Sequence, residues 1–497
     1  MLTWQEFYKT VWSVRNWMAA ELGTMAERGG REPAELRAVA YAGNTVELVV
    51  ATAAAATLGI AWVGIDPSRD TETALDQFAA VGPDLLIVDS GLGDGFRLAE
   101  QARRTGARVL ELGPEPVEGS GATGYATARD HHEPAVGWQP PPFLALGFTS
   151  GSTGKPKLFL RRSRSENQRL AYLRDTFGFS GENRDAYLVT SPLAHASGHV
   201  WANAALSLGG TVVLGSTDPS RLVDQIAEHR ITAAFMVPPT LEAFLAAALD
   251  RPGVDLTSLR ALLTGGRHIS ARAIRQADQR LGAVLHLYYA TTETGINTFA
   301  DPAQLAANPF TAGLPLAGVH LVVVDEHTRQ PVPPEVPGLI AIASTLNLDS
   351  YQTGKPDVVV HDGREHVLTS DYGYLGADGQ LFILGRSDSL PGGDQLNVVR
   401  LEAELKELPD IQDACIVRRP TAGGVEVVAV VRLPDSAPAE RTLASVSDRL
   451  GQLLGPAAHA HRALAVPRIP YNTAGKVDVR AMRAMLADHA EQPLAIA

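Results

Sequence analysis

The chain has 497 residues, 45% of them hydrophobic and 20% charged, and its formal net charge is −12 at pH 7. This composition excludes a disordered or collagen-like protein, and the length favours about three structural units. The single cysteine, Cys415, excludes an internal disulfide framework and favours a reduced, cytoplasmic setting, while the acidic charge argues against general binding of nucleic acid or anionic membranes.

Residues 48–65 form an apolar stretch long enough to span a bilayer. The stretch is rich in Ala and Gly, and Glu47 and Asp66 bracket it closely. It therefore predicts a buried helix, a turn at Gly59 and a buried strand, without stable membrane insertion. The N-terminal residues lack a basic start followed by an apolar run, so no signal peptide is expected.

The next segments alternate strands with helices. Residues 83–89 and 108–112 predict strands on either side of a helix over 96–105, a pattern typical of a parallel α/β sheet. Residues 113–142 are rich in Pro, Gly and His and predict a surface loop. Strand and helix signals then resume at residue 143 and continue past the apolar run 231–237.

The last third is more β-like. Strands are predicted over 319–324, 339–343 and 381–384, and a turn-rich polar segment, 385–394, places a domain boundary near residue 386. Beyond it, the pattern predicts a small α+β domain with the following elements: a helix over 400–408, strands over 414–417 and 425–433, a helix over 441–454, and a final strand and helix. The predicted domains are therefore 1–386 and 387–497.

The strongest local signal is the run FTSGSTGKPK at 148–157, which follows a predicted strand. Glycines let a backbone approach a ligand closely, while hydroxyls, amides and lysines supply hydrogen bonds and positive charge. This chemistry suits a polyphosphate. The run is not a Walker loop, because Thr149 stands where the first glycine is needed and Pro156 follows Lys155.

The same run allows a second interpretation. Ser152 and Lys155 fit the Ser-x-x-Lys motif of acyl-serine hydrolases, and Ser370-Asp371 resembles part of that set. No Lys-Thr-Gly occurs in the chain, and Tyr372 replaces the expected asparagine. An acyl-serine hydrolase is therefore a remote alternative.

The loop resembles the phosphate loop of the adenylate-forming enzymes, a superfamily of acyl- and aryl-CoA ligases, peptide-synthetase adenylation domains and luciferases. Further motifs similar to theirs occur in the same order across most of the chain. These are LGIAWVGIDP at 58–67, PLAH at 192–195 with Gly198, YATTE at 289–293 with Ala290 in a glycine position, TSD at 369–371 with Ser370 in a glycine position, GRSD at 385–388, and PYNTAGK at 470–476.

The resemblance implies an α/β fold with parallel α/β subdomains, a small β-barrel-like subdomain and a mobile α+β C-terminal domain that moves about a hinge at Asp388. It implies two half-reactions. A carboxylic acid attacks the α-phosphate of ATP, with Mg²⁺ bound, to give an acyl-adenylate, and a thiol such as that of CoA then takes the acyl group. The implied partners are a small carboxylic acid and CoA, or a carrier protein in trans.

The resemblance also assigns roles to residues at the matching positions. The implied catalytic residues are Lys476, His195, Thr292 and Glu293, with Glu293 also the Mg²⁺ ligand. The implied ATP-binding residues are Thr149, Ser150, Gly151, Ser152, Thr153, Gly154, Lys157, Gly265, Gly266, Arg267, Tyr289, Ala290, Thr291, Asp371, Ile383 and Arg386. The implied acid pocket comprises His195, His199, Trp201, Val237, Gly265, Ala290 and Ile296.

Ordinary structural roles are alternatives for several of these residues. Asp371 could cap a turn, Glu293 could begin a helix, and His199 and Trp201 could belong to the core. Arg267 stands where the superfamily has a small or acidic residue. It could bind a second anionic group on the substrate, or it could be a surface arginine paired with a nearby carboxylate.

The acid and its acceptor are only partly indicated. Residues 193–201 contain no acidic side chain, which disfavours an α-amino acid, and the Pro-x-x-His pattern resembles acyl- and aryl-CoA ligases. After the hinge, ligases have a lysine, two residues and a glycine. An ungapped comparison puts Gly392 and Gln395 at the lysine and glycine positions, and a gapped one could use Gly392-Gly393 as the glycine. The acceptor and the second half-reaction therefore stay open. Residues 477–497 are too few for a carrier domain. A carrier-loading or amine-acylating ligase, or an enzyme that retains only one half-reaction, is the alternative function. A non-catalytic nucleotide or acyl-adenylate binder is a third.

Overall fold

The computed structural model describes residues 1–29, 35–113, 121–132, 144–149, 157–162, 165–351, 354–386, 397–421, 424–455, 460–473 and 475–488. They form two compact units. The first lies within Met1–Gly215 and Leu346–Pro356, and the second within Ser216–Thr345 and Asp357–Ala497. The predicted boundary near residue 386 lies inside the second unit, and the predicted hinge Asp388 lies outside the described residues. The division into 1–386 and 387–497 stays a prediction.

The first unit alternates strands and helices along most of its length. In chain order its elements are α1 (Trp4–Gly29), β1 (Arg37–Tyr41), α2 (Val46–Thr57), β2 (Ala61–Gly64), α3 (Thr71–Val81), β3 (Leu85–Val88), α4 (Gly95–Thr105), β4 (Arg108–Glu111), β5 (Thr123–Gly124), α5 (Tyr125–Arg129), β6 (Ala145–Phe148), β7 (Leu158–Arg161), α6 (Ser165–Phe177), β8 (Ala186–Val189), α7 (Ala196–Ser207) and β9 (Thr211–Leu214).

A parallel sheet organises this unit. Its strand order is β2-β1-β3-β4-β5, and each neighbouring pair runs parallel. Strand β3 is buried along its whole length, as expected where helices cover both faces of a parallel sheet. The predicted strand–helix–strand pattern over 83–112 is confirmed. The predicted loop over 113–142 is wrong in its middle part, where β5 and α5 form.

The apolar stretch at 48–65 folds as predicted. Thr45 caps α2 by accepting a hydrogen bond from the Leu48 amide at 3.1 Å, and Gly59 turns the chain with φ = +71° before β2. A side chain rarely adopts that backbone conformation, which explains the glycine there. In the part of the chain that the structure describes, no helix is long and apolar enough to cross a membrane.

The second unit begins with α/β structure and continues with antiparallel strands. Its elements before residue 346 are α8 (Pro219–Glu228), β10 (Ala233–Phe235), α9 (Pro238–Leu249), β11 (Ala261–Gly265), α10 (Ala271–Leu281), β12 (Leu285–Thr291), β13 (Gly295–Ala300), α11 (Pro302–Ala307), β14 (Leu314–Pro315), β15 (His320–Val324) and β16 (Gly338–Ala343). Strands β10, β11 and β12 pair in parallel, whereas β12, β13 and β14 pair antiparallel.

The remaining elements complete both units. Strand β17 (Ser350–Tyr351) belongs to the first unit and pairs with β7, which also pairs with β6. The others belong to the second unit: β18 (Val358–His361), β19 (Arg364–Leu375), β20 (Leu381–Arg386), α12 (Val398–Lys406), β21 (Asp413–Thr421), β22 (Gly424–Arg432), α13 (Ala439–Leu454), β23 (His461–Ala465) and α14 (Val479–Asp488).

Two further sheets confirm the predicted change of pattern after residue 313. Strands β15, β16, β19 and β18 form an antiparallel sheet, with β20 added beside β19. Strands β21, β22 and β23 form the sheet of the C-terminal block, which we define as the described residues of 397–488. This block has its own apolar clusters on the two sides of its sheet, one containing Leu450 of α13 and the other Met482 of α14.

Candidate active site

A hairpin of the second unit carries the YATTE motif. Strands β12 and β13 are antiparallel, and their turn places Thr292 and Glu293 at the tip. The Thr294 amide donates a hydrogen bond to the Thr291 hydroxyl at 3.2 Å, which closes the turn. Glu293 therefore projects from a strand-to-strand turn and does not begin a helix.

Asp371 lies on the neighbouring strands of this unit. It is on β19, in register with Arg386 on β20, and its side chain is 16% exposed. The Tyr289 hydroxyl donates to Asp371 Oδ2 at 2.6 Å, and Arg386 Nη1 lies 3.8 Å from Oδ1. Burial raises the pKa of Asp371, and the Tyr289 hydrogen bond and the charges of Arg386 and Lys476 lower it. The carboxylate thus faces one hydroxyl and two cations.

Lys476 is presented by a tight turn. The Asn472 amide donates to the Lys476 carbonyl at 2.8 Å, and the Lys476 amide donates to Asn472 Oδ1 at 3.1 Å. Within this turn Gly475 has φ = +73°, and a Cβ atom on it would lie 2.7 Å from Val237 Cβ. Only glycine fits there, because both the backbone conformation and the space exclude a side chain.

The Lys476 ammonium shares its surroundings with charges from three strands or turns. Burial lowers the pKa of Lys476, the carboxylates of Asp371 and Glu293 raise it, and the Arg386 charge lowers it. The structure therefore brings together five of the predicted residues in one half-buried cluster of balanced charge, which we call the lysine cluster: Tyr289, Glu293, Asp371, Arg386 and Lys476.

The other predicted residues of this unit lie on the same strands or at their ends. Gly265 ends β11, and a Cβ atom on it would lie 2.7 Å from the Tyr288 carbonyl, so this position needs glycine. Gly266 follows with φ = +89°. Ile296 is fully buried on β13, and Ile383 lies on β20. Ala290 marks a register shift in β12, and Val237 precedes α9.

Arg267 points away from these residues. Its side chain is 13% exposed, and Nη2 lies 2.7 Å from Glu402 Oε2 on α12 of the C-terminal block. The predicted carboxylate partner exists, but the arginine is buried, so its interpretation as a surface residue is wrong. Among the described residues, the contacts of this guanidinium are with the C-terminal part of the chain and not with the lysine cluster.

His268, next to Arg267, is partly buried and stacks on an aromatic ring. Its ring lies parallel to that of Phe310, with 5.6 Å between centroids, and its buried Nε2 has no hydrogen-bond partner among the described residues. Burial, together with the charges of Lys406 and Arg267, lowers the pKa of His268 to about 3. Sequence reasoning had no signal for this role.

His268→Phe is expected to make unfolding less sensitive to acid. Between pH 6.5 and 3 the unfolded chain binds the proton and the folded chain does not, so wild-type stability falls as the pH falls. This one proton contributes a slope of at most about 1.4 kcal/mol per pH unit to the free energy of unfolding. Urea unfolding at pH values from 7 to 4.5 measures that free energy, which should depend less on pH in the variant than in the wild type. Phe310→Leu should shift the whole curve without changing its slope; curves of equal slope for wild type and His268→Phe would contradict the prediction.

In the first unit, His195 pairs with an aspartate that sequence analysis did not select. His195 stands at the N-cap of α7, and its Nε2 lies 2.8 Å from Asp66 Oδ2. The Asp66 side chain is 4% exposed and that of His195 is 23% exposed. Asp66 follows the buried strand β2 within the LGIAWVGIDP motif, and an acidic residue at a buried strand end was the available signal.

His199 and Trp201 lie two residues apart on α7. The His199 ring packs against Trp62 with 4.8 Å between centroids, and its Nδ1 lies 3.2 Å from the Leu193 carbonyl. The Trp201 side chain is fully buried, and the Arg169 guanidinium carbon lies 5.8 Å from its ring centroid. These contacts give Trp201 a core role.

The two ends of the glycine-rich loop are held together. The Thr149 amide donates to the Lys157 carbonyl at 3.0 Å, and the Lys157 amide donates to the Thr149 hydroxyl at 2.9 Å. Lys157 Nζ lies 5.5 Å from the Tyr351 ring centroid. The predicted phosphate-binding residues between them, Ser150, Gly151, Ser152, Thr153 and Gly154, lie outside the described residues.

The Glu293 carboxylate and the Thr292 hydroxyl suit a metal cation that binds together with the phosphates of a substrate. Among the described residues, no group of three or more His, Cys, Asp or Glu side chains could hold a metal ion. Mg²⁺ is commonly bound through one or two carboxylates together with water and substrate phosphates. A single carboxylate beside the hydroxyl of Thr292 fits that pattern.

Comparison with known proteins identifies the family. The AMP-binding enzyme family model matches residues 1–351. The chain therefore belongs to the AMP-binding enzyme family, within the adenylate-forming superfamily.

Two curated relatives and one solved structure show the range of the similarity. Indoleacetate–CoA ligase of Aromatoleum aromaticum is 31% identical over 63% of this chain and 60% of its own length. The chain thus spans less than two thirds of that relative. Fatty acid–[acyl-carrier-protein] ligase ScoC of Streptomyces coeruleorubidus is 30% identical over 68% of this chain and 67% of its length. The amide bond synthetase McbA of Marinactinospora thermotolerans is 26% identical, with a TM-score of 0.78 over 96% of this chain and 94% of that chain.

Proposed function

We propose that the chain is an ATP-dependent ligase that activates a carboxylic acid as an acyl-adenylate and then transfers the acyl group to the thiol of CoA. The observation that carries the proposal is the lysine cluster, in which one ammonium and one guanidinium lie among two carboxylates. The similarity to indoleacetate–CoA ligase supports the CoA acceptor.

In the first step a carboxylate oxygen of the acid attacks the α-phosphorus of ATP. A new P–O bond forms, the bond between the α-phosphorus and its bridging oxygen breaks, and pyrophosphate leaves with the electron pair. Lys476 would stabilise the negative charge that develops between the acid and the α-phosphate, because a fixed cation in a water-poor site needs no reorganisation. Thr292 would donate a hydrogen bond to that phosphate.

Asp371 and Glu293 would bind the nucleotide and its cation. The Asp371 carboxylate would accept hydrogen bonds from the ribose hydroxyls, with Tyr289 and Arg386 fixing its orientation. Glu293 would hold Mg²⁺, which neutralises phosphate charge. Thr149 and Lys157, whose hydrogen bonds join the two ends of the loop, would bind the outer phosphates.

In the second step the CoA sulfur attacks the acyl carbon. A C–S bond forms, the C–O bond to AMP breaks, AMP leaves with the electron pair, and the thiol proton is released. His195 would act in this second step, near the attacking thiol. Asp66 would orient the His195 ring through the 2.8 Å contact between Asp66 Oδ2 and His195 Nε2. A carboxylate partner fixes an imidazole in one tautomer.

A carrier protein or an amine is the alternative acceptor. The similarity to ScoC and McbA supports it, since the first is named as a carrier-protein ligase and the second as an amide bond synthetase. The adenylation step is the same in all three cases. The alternatives therefore differ only in which nucleophile consumes the acyl-adenylate.

Pyrophosphate release from MgATP tests the proposal. Benzoate, indoleacetate, 4-coumarate and octanoate are each supplied alone, with CoA, with a phosphopantetheinylated acyl carrier protein, or with a primary amine, and mass spectrometry identifies the product. Acid-dependent release with an acyl-CoA product is expected. If the acyl-adenylate reacts only with the carrier protein or the amine, that nucleophile is the acceptor and CoA is not. If no acid of a broader panel gives pyrophosphate release, the proposal is overturned.

A further inference from the structure

Arg267 binds three groups of the C-terminal block. Its Nη1 donates to the Tyr471 hydroxyl, and Nη2 donates to Glu402 Oε2 at 2.7 Å and to the Ala414 carbonyl at 3.2 Å. The guanidinium carbon also lies 5.2 Å from the Tyr471 ring centroid. The planar fork of arginine can make all these contacts at once, which a lysine ammonium cannot do.

The contact continues as a buried chain of alternating charges. The Tyr471 hydroxyl donates to Asp413 Oδ2 at 2.7 Å, and Lys406 Nζ lies 2.8 Å from Asp413 Oδ1. Lys406 Nζ also lies 3.4 Å from Glu242 on α9. Buried charges are retained only when they are paired, so the Arg267 and Lys406 contacts define one arrangement of the C-terminal block against α9 and the end of β11.

Tyr471 connects this chain of charges to Lys476. Tyr471 and Val477 form an antiparallel bridge at the base of the turn that carries Lys476. The tip of the same turn meets Val237, where Gly475 leaves no room for a side chain. The turn is therefore held at two points, by Arg267 through Tyr471 and by Val237 through Gly475.

We propose that Arg267 is a positioning residue that holds Lys476 in the lysine cluster for adenylate formation. The inference rests on the proposed function, in which Lys476 acts in the first half-reaction, and on the movement of the C-terminal domain that the family resemblance implies for the second. Because Arg267 contacts the block in the arrangement that places Lys476 beside Asp371 and Glu293, its removal should impair adenylation and leave acyl transfer largely unchanged.

The test separates the two half-reactions in Arg267→Lys and Tyr471→Phe. Arg267→Lys keeps the positive charge but loses the planar guanidinium that makes several hydrogen bonds at once. Tyr471→Phe keeps the aromatic ring but loses the hydroxyl. We expect acid-dependent adenylation to fall about 10- to 100-fold in both, since small misplacements of a catalytic group have effects of that size. Acyl transfer from a supplied, purified acyl-adenylate should change less than about threefold, because its geometry does not use these contacts.

A second measurement does not depend on any activity. Acetic anhydride labels the six lysines of the chain, and mass spectrometry follows each one. We expect Lys476 to be acetylated at least about fivefold faster in both variants, because its turn opens more often. Arg275→Gln is the matched control. It removes an exposed pair with Glu407 on the same side of the C-terminal block and should change neither rate nor labelling more than about twofold.

The outcomes distinguish this inference from the proposed function. Slower adenylation with intact transfer and faster Lys476 labelling support it. Equal loss of both half-reactions, or unchanged Lys476 labelling in variants whose melting temperatures match the wild type, overturns it. If wild-type protein adenylates no acid, the proposed function fails, and the labelling of Lys476 alone then decides whether Arg267 holds the turn.

Discussion

Replacing Lys476 with alanine is expected to lower acid-dependent pyrophosphate release by about 10²–10³-fold, while acyl transfer from a supplied acyl-adenylate changes less than about threefold. The ammonium is a fixed cation in a half-buried cluster, and its neighbours Asp371 and Glu293 favour its charged form. Without it, the negative charge that develops as the acid attacks ATP would lose its nearest positive partner. Initial rates of pyrophosphate release measure the first effect, and single-turnover consumption of acyl-adenylate measures the second.

Two variants control this measurement. Lys476→Arg keeps a positive charge but changes its shape and reach, so we expect it to recover only part of the rate. Lys9→Ala removes an exposed lysine from α1 and should leave both half-reactions unchanged. Wild-type rates in Lys476→Ala would exclude Lys476 from the adenylation step. Equal loss of both half-reactions would assign it a structural role.

Local patterns predicted the fold where each element is determined by its own residues. The stretch at 48–65 became α2, the turn at Gly59 and β2, because its apolar residues, its Thr45 cap and its glycine all favour the same structure. The strand–helix–strand pattern over 83–112 was predicted for the same reason. Short elements were missed, since β5 and α5 gain their order from packing against neighbours rather than from a periodic sequence.

The candidate site was predictable only in part, because motifs mark positions and not partners. The motifs selected Asp371, Glu293 and Lys476, and the structure places these residues in one cluster. Partners far apart in sequence carry no such signal. Asp66 meets His195 across 129 positions, and Arg267 meets Glu402 across 135. The unusual residue at 267 was visible in the sequence, but its orientation toward the C-terminal block is a property of the tertiary structure.

Asp371→Asn is expected to weaken ATP binding by about 10- to 100-fold, since a hydrogen bond to a charged group contributes about 1.5–3 kcal/mol and 1.4 kcal/mol is a factor of ten. The variant also leaves Arg386 and Lys476 without this counter-charge. Calorimetric titration with MgATP measures the loss without any acid present. Tyr289→Phe keeps the carboxylate and removes only its 2.6 Å hydrogen bond, so a smaller loss is expected.

Comparison of ATP with 2′-deoxy-ATP separates ribose recognition from a general electrostatic effect. If the Asp371 carboxylate accepts a hydrogen bond from the 2′-hydroxyl, wild-type protein should bind ATP about tenfold more tightly than the deoxy analogue, and Asp371→Asn should lose most of that preference. A purely electrostatic role would weaken both nucleotides equally and leave the preference intact. The second result would contradict the assignment of Asp371 to the ribose, while the loss of affinity would still place its charge near the phosphates or their cation.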